Sequence, residues 1–272
     1  MPRLDGRGSL NGERVDLPSP SLLSTGRPQR ARDVRRGAPL RRLSLAMGRL
    51  DDMDVLREVR RGPIPARVAR RDKLLALREE ALALVEARDL ARPRAVWRIV
   101  QLDGEPGQAG LLRLDGREIE APWLMPASGR LTAVACAVAT IGAGVDEQVS
   151  TLFAERRASL AMALDGVGNE LLFALSRRVQ DRLLADARRR GLTVAGELRA
   201  GDPGLGLHAQ RTVLELAGAA EIGVSVTRTM MMSPNKSTSI VQGVGLELPA
   251  QTWSRCDSCR SRERCTLARE PA

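Results

Sequence analysis

Residues Leu131 to Ile141 (Leu-Thr-Ala-Val-Ala-Cys-Ala-Val-Ala-Thr-Ile) are almost wholly apolar. A strand with one wetted face alternates polar and apolar residues, whereas a strand buried in a sheet reads as a near-continuous apolar run. The stretch therefore predicts a buried strand, ended by Gly142-Ala143-Gly144 and followed by a helix over Val145–Leu164. Aromatics are nearly absent, namely Trp97, Trp123, Trp253, Phe153 and Phe173 with no Tyr, so Leu, Val, Ala and Met must build the core. With 272 residues, 43% of them hydrophobic, the chain suits one medium domain, or one domain plus tails.

The remaining periodicity fills in the domain. Asp72 is placed to cap a helix running to about Leu90, with Leu74, Leu77, Ala81, Leu82 and Val85 near one face, and Pro93 stops it. A longer helix follows over Asn169–Arg190, where Leu172, Leu175, Val179, Leu183 and Ala187 recur every three or four residues. Asn169 is its expected cap and Gly191 its left-handed closing residue. Its charged face (Arg177, Arg178, Asp181, Arg182, Asp186, Arg188) reads as solvated. Strands are predicted at Val96–Gln101 and Gly110–Leu114, around the turn Asp103–Gly107. A short helix is expected at Ala209–Ala217, then a strand at Ile222–Val226 with Thr238–Leu248 as its antiparallel mate. The predicted class is α+β, an antiparallel sheet partly covered by helices.

The formal charge of +10 raises the question of nucleic acid. Residues 1–50 hold eleven Arg against four acidic residues, giving +7 and leaving +3 (10 − 7) for the rest. The basic character lies in a Gly/Pro/Ser/Arg-rich stretch without apolar periodicity, which reads as a disordered tail. Stacking aromatics are missing there, so nucleic acid is an unlikely partner. The expected organisation is tail 1–50, an α+β domain over 51–250 and a cysteine-containing segment over 251–272. No apolar run approaches the ~20 residues that span a bilayer. No signal-peptide core of ~7–15 apolar residues stands at the start. Cysteine usage suits a reducing, cytoplasmic setting.

Two constellations bear on chemistry. The first is the loop from Arg199 to Gln210, where three glycines and a proline between Gly201 and His208 let the backbone turn sharply and approach a ligand closely. It fits neither a P-loop nor a dinucleotide fingerprint, and a plain connector has the same composition. The second is Cys256-x-x-Cys259-x5-Cys265. Such spacing can pinch three thiolates onto one metal, an iron–sulphur cluster or zinc, with free redox thiols as the alternative. A fourth ligand would have to come from Cys136 or His208, the sole histidine. Cys136, inside the apolar strand, reads instead as a small buried residue. Met230, Met231 and Met232 read first as packing residues.

Read in order, these pieces resemble one family, the reactivation domain of cobalamin-dependent methionine synthase. Arg199 with Pro203-Gly204 before a helix matches the family's Arg and Pro-Gly-Tyr, although Leu205 stands where Tyr is expected. Pro234-x-x-Ser237-x-Ser239 after the Met-rich turn matches its Pro-x-x-Ser-x-Ser. Ala139-Thr140-Ile141-Gly142 and Leu164-Asp165-Gly166-Val167-Gly168 resemble the segments before its two long helices. The resemblance covers about residues 130–267 and implies a stand-alone homologue with that fold. It implies S-adenosylmethionine as cofactor, held by Arg199, Pro203, Gly204, Leu205, Pro234, Ser237 and Ser239. It also implies cobalamin presented by a partner, a corrinoid-binding protein or cobalamin-dependent methyltransferase, with a reductant protein beside it. Similar cysteine triplets accompany stand-alone relatives, where a cluster at Cys256, Cys259 and Cys265 would relay an electron to cobalt. The alternative is a metal-binding electron-transfer or assembly factor that no longer binds S-adenosylmethionine.

Overall fold

The apolar run is the middle strand of a five-stranded antiparallel sheet in the computed structural model, which describes residues 46–51 and 53–249. In chain order the elements are β1 (Ala46–Asp51), α1 (Val55–Arg61), α2 (Ala66–Ala69), α3 (Asp72–Ala87), β2 (Arg94–Gln101), β3 (Leu111–Leu114), β4 (Arg117–Glu120) and β5 (Arg130–Thr140). Then come α4 (Gly144–Ala154), α5 (Ala158–Arg188), β6 (Thr193–Leu198), α6 (Gln210–Ala217), β7 (Ser225–Val226), β8 (Met232–Ser233) and β9 (Ser237–Leu246). The sheet order is β1-β2-β5-β9-β6, and β3-β4 and β7-β8 form small separate hairpins.

Both faces of the sheet are covered, which is why β5 carries no polar alternation. On one face Ala133, Ala135, Ala137 and Ala139 pack with Leu164, Leu171, Leu175, Val179 and Leu183 of α5. On the other, Val134, Cys136 and Val138 pack with Val213, Leu214 and Ala217 of α6 and with Leu112, Leu114 and Ile119 of the β3-β4 hairpin. Alanines under α5 let a long helix lie close to the sheet without aromatic filler. The chain reverses over the other face through Gly218, whose φ of +78° closes α6.

Several expectations change. The helices over 145–164 and 169–190 are not separated near Gly166–Gly168. The break falls at Glu155–Arg157, where Arg156 takes φ +59°, and α5 then runs 31 residues unbroken. Asn169 is thus inside a helix rather than capping one. Asp72 is the first helical residue of α3, and its N-cap, Arg71, makes no side-chain cap. Gly191 does adopt the expected left-handed conformation, at φ +70°. Ile222 ends a 3-10 turn, only Ser225–Val226 is strand there, and it pairs with β8. The expected mate, β9, pairs instead with β5 and β6. β1 begins at Ala46, inside the stretch whose composition reads as tail. By length and apolar composition alone, α5 could cross a membrane. Here it is the core helix, packed on the sheet and on α1, α3 and α4.

Candidate functional site

Three of the motif segments meet at one end of the sheet. Antiparallel pairing sets Thr140, the last residue of β5, opposite Ser237, the first of β9. The Ser237 hydroxyl lies 2.9 Å from the Thr140 hydroxyl and donates to the Pro234 carbonyl at 2.6 Å. Thr140 Oγ1 in turn accepts from the Gly142 amide at 3.0 Å. Lys236, 7% exposed, sends its ammonium across to α5, donating to Asp165 at 2.6 Å and Asn169 at 2.9 Å. Its stem passes over Gly168, where an added Cβ would stand 3.1 Å from Lys236 Cε and 2.8 Å from Val145 Cγ1. Asp146, beside this cluster, has its pKa raised by burial, which the Lys236 charge opposes. Thr140, Gly142, Asp165, Gly168, Pro234 and Ser237 thus form a scaffold that locks β5, β9, α4 and α5 together.

The loop from Arg199 leaves the end of β6 on the same side of the molecule, since Leu198 pairs with Val241 and β9 begins nearby at Ser237. Its turn is built from within. Asp202 accepts from the Arg199 amide at 2.9 Å, and the Leu205 amide donates to the Asp202 carbonyl at 3.0 Å. The Arg199 guanidinium donates to Glu197 at 3.3 Å with only 18% of its side chain exposed. Gly204 takes φ +84° directly against Trp123, where a Cβ would come 2.4 Å from the ring. No side chain but glycine fits that crossing. Pro203 is exposed, whereas Leu205 is 1% exposed and belongs to the core under α6.

The loop runs into Gln210, at the start of α6 and 3% exposed. Its Oε1 accepts from Ser239 Oγ at 3.4 Å, and its Nε2 has no hydrogen-bond partner among the described residues. Ser239 is itself 2% exposed. The structure therefore divides the predicted site residues. Pro203 is exposed and Arg199 and Gly204 are partly buried in the loop, whereas Leu205, Ser237 and Ser239 are interior and Pro234 sits in the scaffold turn. Sequence reasoning missed Trp123, half-exposed in the 3-10 turn Pro122–Leu124, and the buried amide of Gln210. Trp123 carried one signal, being among the few aromatics in the chain.

Cys256, Cys259 and Cys265 lie outside the described residues. Among the described residues no cluster of His, Cys, Asp and Glu suits a metal ion. Cys136 is fully buried within β5, and burial pushes its thiol up to about 12, as befits a small core residue rather than a thiolate ligand. His208 is exposed, with its ring folded against Gly206. Met231 is 58% exposed in the turn between β7 and β8, where its carbonyl accepts from the Thr227 amide at 2.8 Å.

The crystal structure of the MetH reactivation domain bound to AdoHcy superposes on this chain with a TM-score of 0.54, covering 77% of this chain and 81% of that one at 12% identity. The chain has the reactivation-domain fold. No family model matches the sequence. No curated protein matches it either. The likeness therefore rests on the α+β architecture, with its five-stranded antiparallel sheet.

Proposed function

We propose that this protein binds S-adenosylmethionine, or its demethylated product, on the loop 199–207 and supports reductive remethylation of a corrinoid carried by a partner methyltransferase. The observation that carries the reading is the shared fold with an AdoHcy-bound reactivation domain, with Arg199 and Pro203-Gly204 set at the end of β6. When bound, S-adenosylmethionine supplies an electrophilic methyl group. The chain's own part is positioning. Arg199 offers its guanidinium to a carboxylate through a charge-assisted bond, in exchange for the long contact to Glu197. Trp123 offers an aromatic face to adenine or to the sulfonium charge. The buried Gln210 amide, unpartnered among the described residues, is a further candidate donor, and no acid–base pair is needed. Cobalt chemistry and the electron would come from the corrinoid partner and a reductant, with the three C-terminal cysteines as a candidate relay.

Equilibrium dialysis with labelled S-adenosylmethionine tests the methyl-donor reading. Saturable binding that weakens about tenfold or more in Arg199→Ala and Trp123→Ala supports it. No binding, alone or with a corrinoid protein added, sinks it. The second reading, a metal-binding electron-transfer or assembly factor that has lost S-adenosylmethionine, is favoured by one observation. Leu205 is buried where the resemblance expects a Tyr that touches the ligand. Broad visible absorbance of anaerobic protein that disappears in Cys256→Ala, together with no ligand uptake, would select it.

A further inference from the structure

A cleft lies between α2, α3 and α5, on the α5 side of the sheet, whereas Leu205 of the Arg199 loop packs on the α6 side. Its volume is about 580 Å³, and Val68, Leu74, Leu77, Ala163 and Phe173 are among the apolar residues lining it. Cavities of roughly 300–1,000 Å³ with apolar walls and a few polar groups are the usual form of small-molecule sites. Its charged residues are unevenly matched. Arg78, 6% exposed at the side chain, is neutralised by Glu170 at 2.7 Å. Arg67 and Lys73, also lining the cleft, are exposed and have no ion-pair partner among the described residues. The cleft thus combines an apolar interior with two uncompensated cations, both from the α2–α3 side.

We infer that this cleft binds an amphiphilic anion, a carboxylate on an aliphatic chain. The chain would lie along Leu74, Leu77, Ala163 and Phe173, and the carboxylate would face Arg67 and Lys73. Each further methylene buried adds to the transfer gain, so medium-length chains are selected over short ones. The two cations discriminate against cationic amphiphiles of the same length. Met162, 67% exposed in the lining, leaves the cleft open to solvent.

Titration calorimetry of the full chain with dodecanoate, kept below its micellar concentration, tests the inference. The expected result is one saturable site per chain, with butanoate and dodecyltrimethylammonium each weaker by about tenfold or more. Ala163→Trp fills the cleft and should abolish binding. Because that change can disturb packing, Arg67→Glu/Lys73→Glu serves as the second variant. Both residues are exposed, and this variant should lose about tenfold or more in affinity with an unchanged melting temperature. No saturable heat up to roughly millimolar dodecanoate overturns the inference. So does equal uptake of both long-chain amphiphiles, or binding that survives the charge reversal. Sedimentation showing the cleft closed by a second copy of the chain, with dodecanoate excluded, overturns it as well.

Discussion

Lys236 shows how one side chain can explain several sequence signals at once. Its ammonium holds Asp165 and Asn169, and its stem needs the bare backbone of Gly168. The glycines of Leu164-Asp165-Gly166-Val167-Gly168 are therefore not a helix boundary, and the two have opposite roles. Gly168 faces Val145 and Lys236, whereas a Cβ at Gly166 meets nothing within 4 Å. In a helix interior Ala is favoured over Gly by about 0.8–1 kcal/mol, but overpacking costs about 1–3 kcal/mol. Gly166→Ala should stabilise by about 0.5–1 kcal/mol, and Gly168→Ala should destabilise by about 1 kcal/mol or more. Urea denaturation midpoints of the two variants check this. Equal shifts would mean that Lys236 moves aside freely.

At the scale of elements, the pairing of α3 with α5 depends on a buried charge. Arg78 donates to Glu170 at 2.7 Å and to Glu79 at 3.1 Å. Burial opposes the Arg78 charge, yet the two carboxylates outweigh it and hold its pKa above the ordinary value. Removing one partner of such a pair costs about 3–5 kcal/mol, while replacing both with apolar groups is often neutral. Glu170→Ala should fall at the lower end, about 3 kcal/mol, because Glu79 remains. Arg78→Met/Glu170→Leu should recover most of that loss. A double-mutant cycle on thermal and urea unfolding measures both, and equal losses in the single and double variants would contradict the account.

For the whole molecule, two covered sheet faces imply a gradient of stability from the sheet centre to its β6 edge. The amides of β5 and of Ile240–Val244 should be the slowest to exchange with deuterium, and those of 199–207 among the fastest. Mass spectrometry on peptides from the native protein reads this order directly, and a protected loop would refute it. The same gradient marks what was legible in the sequence. The apolar run of β5, the period of α5 and the left-handed Gly191 follow from local rules, and so does the α+β class. The pairing of β9 with β5 and β6 rather than with the 222–226 stretch does not. Short apolar segments carry no label for their partner. The site was legible to the same extent. Arg199, Pro203 and Gly204 were singled out from a loop signature, whereas Trp123, which packs on Gly204, was not, because it comes from another element. The sequence by itself determined the buried strand, the long helix and the turn chemistry, since these depend on neighbours within a few residues. Only the tertiary structure decided that Leu205 and Ser239 point inward and that Trp123 covers Gly204. Those outcomes depend on which distant segments the sheet register brings together.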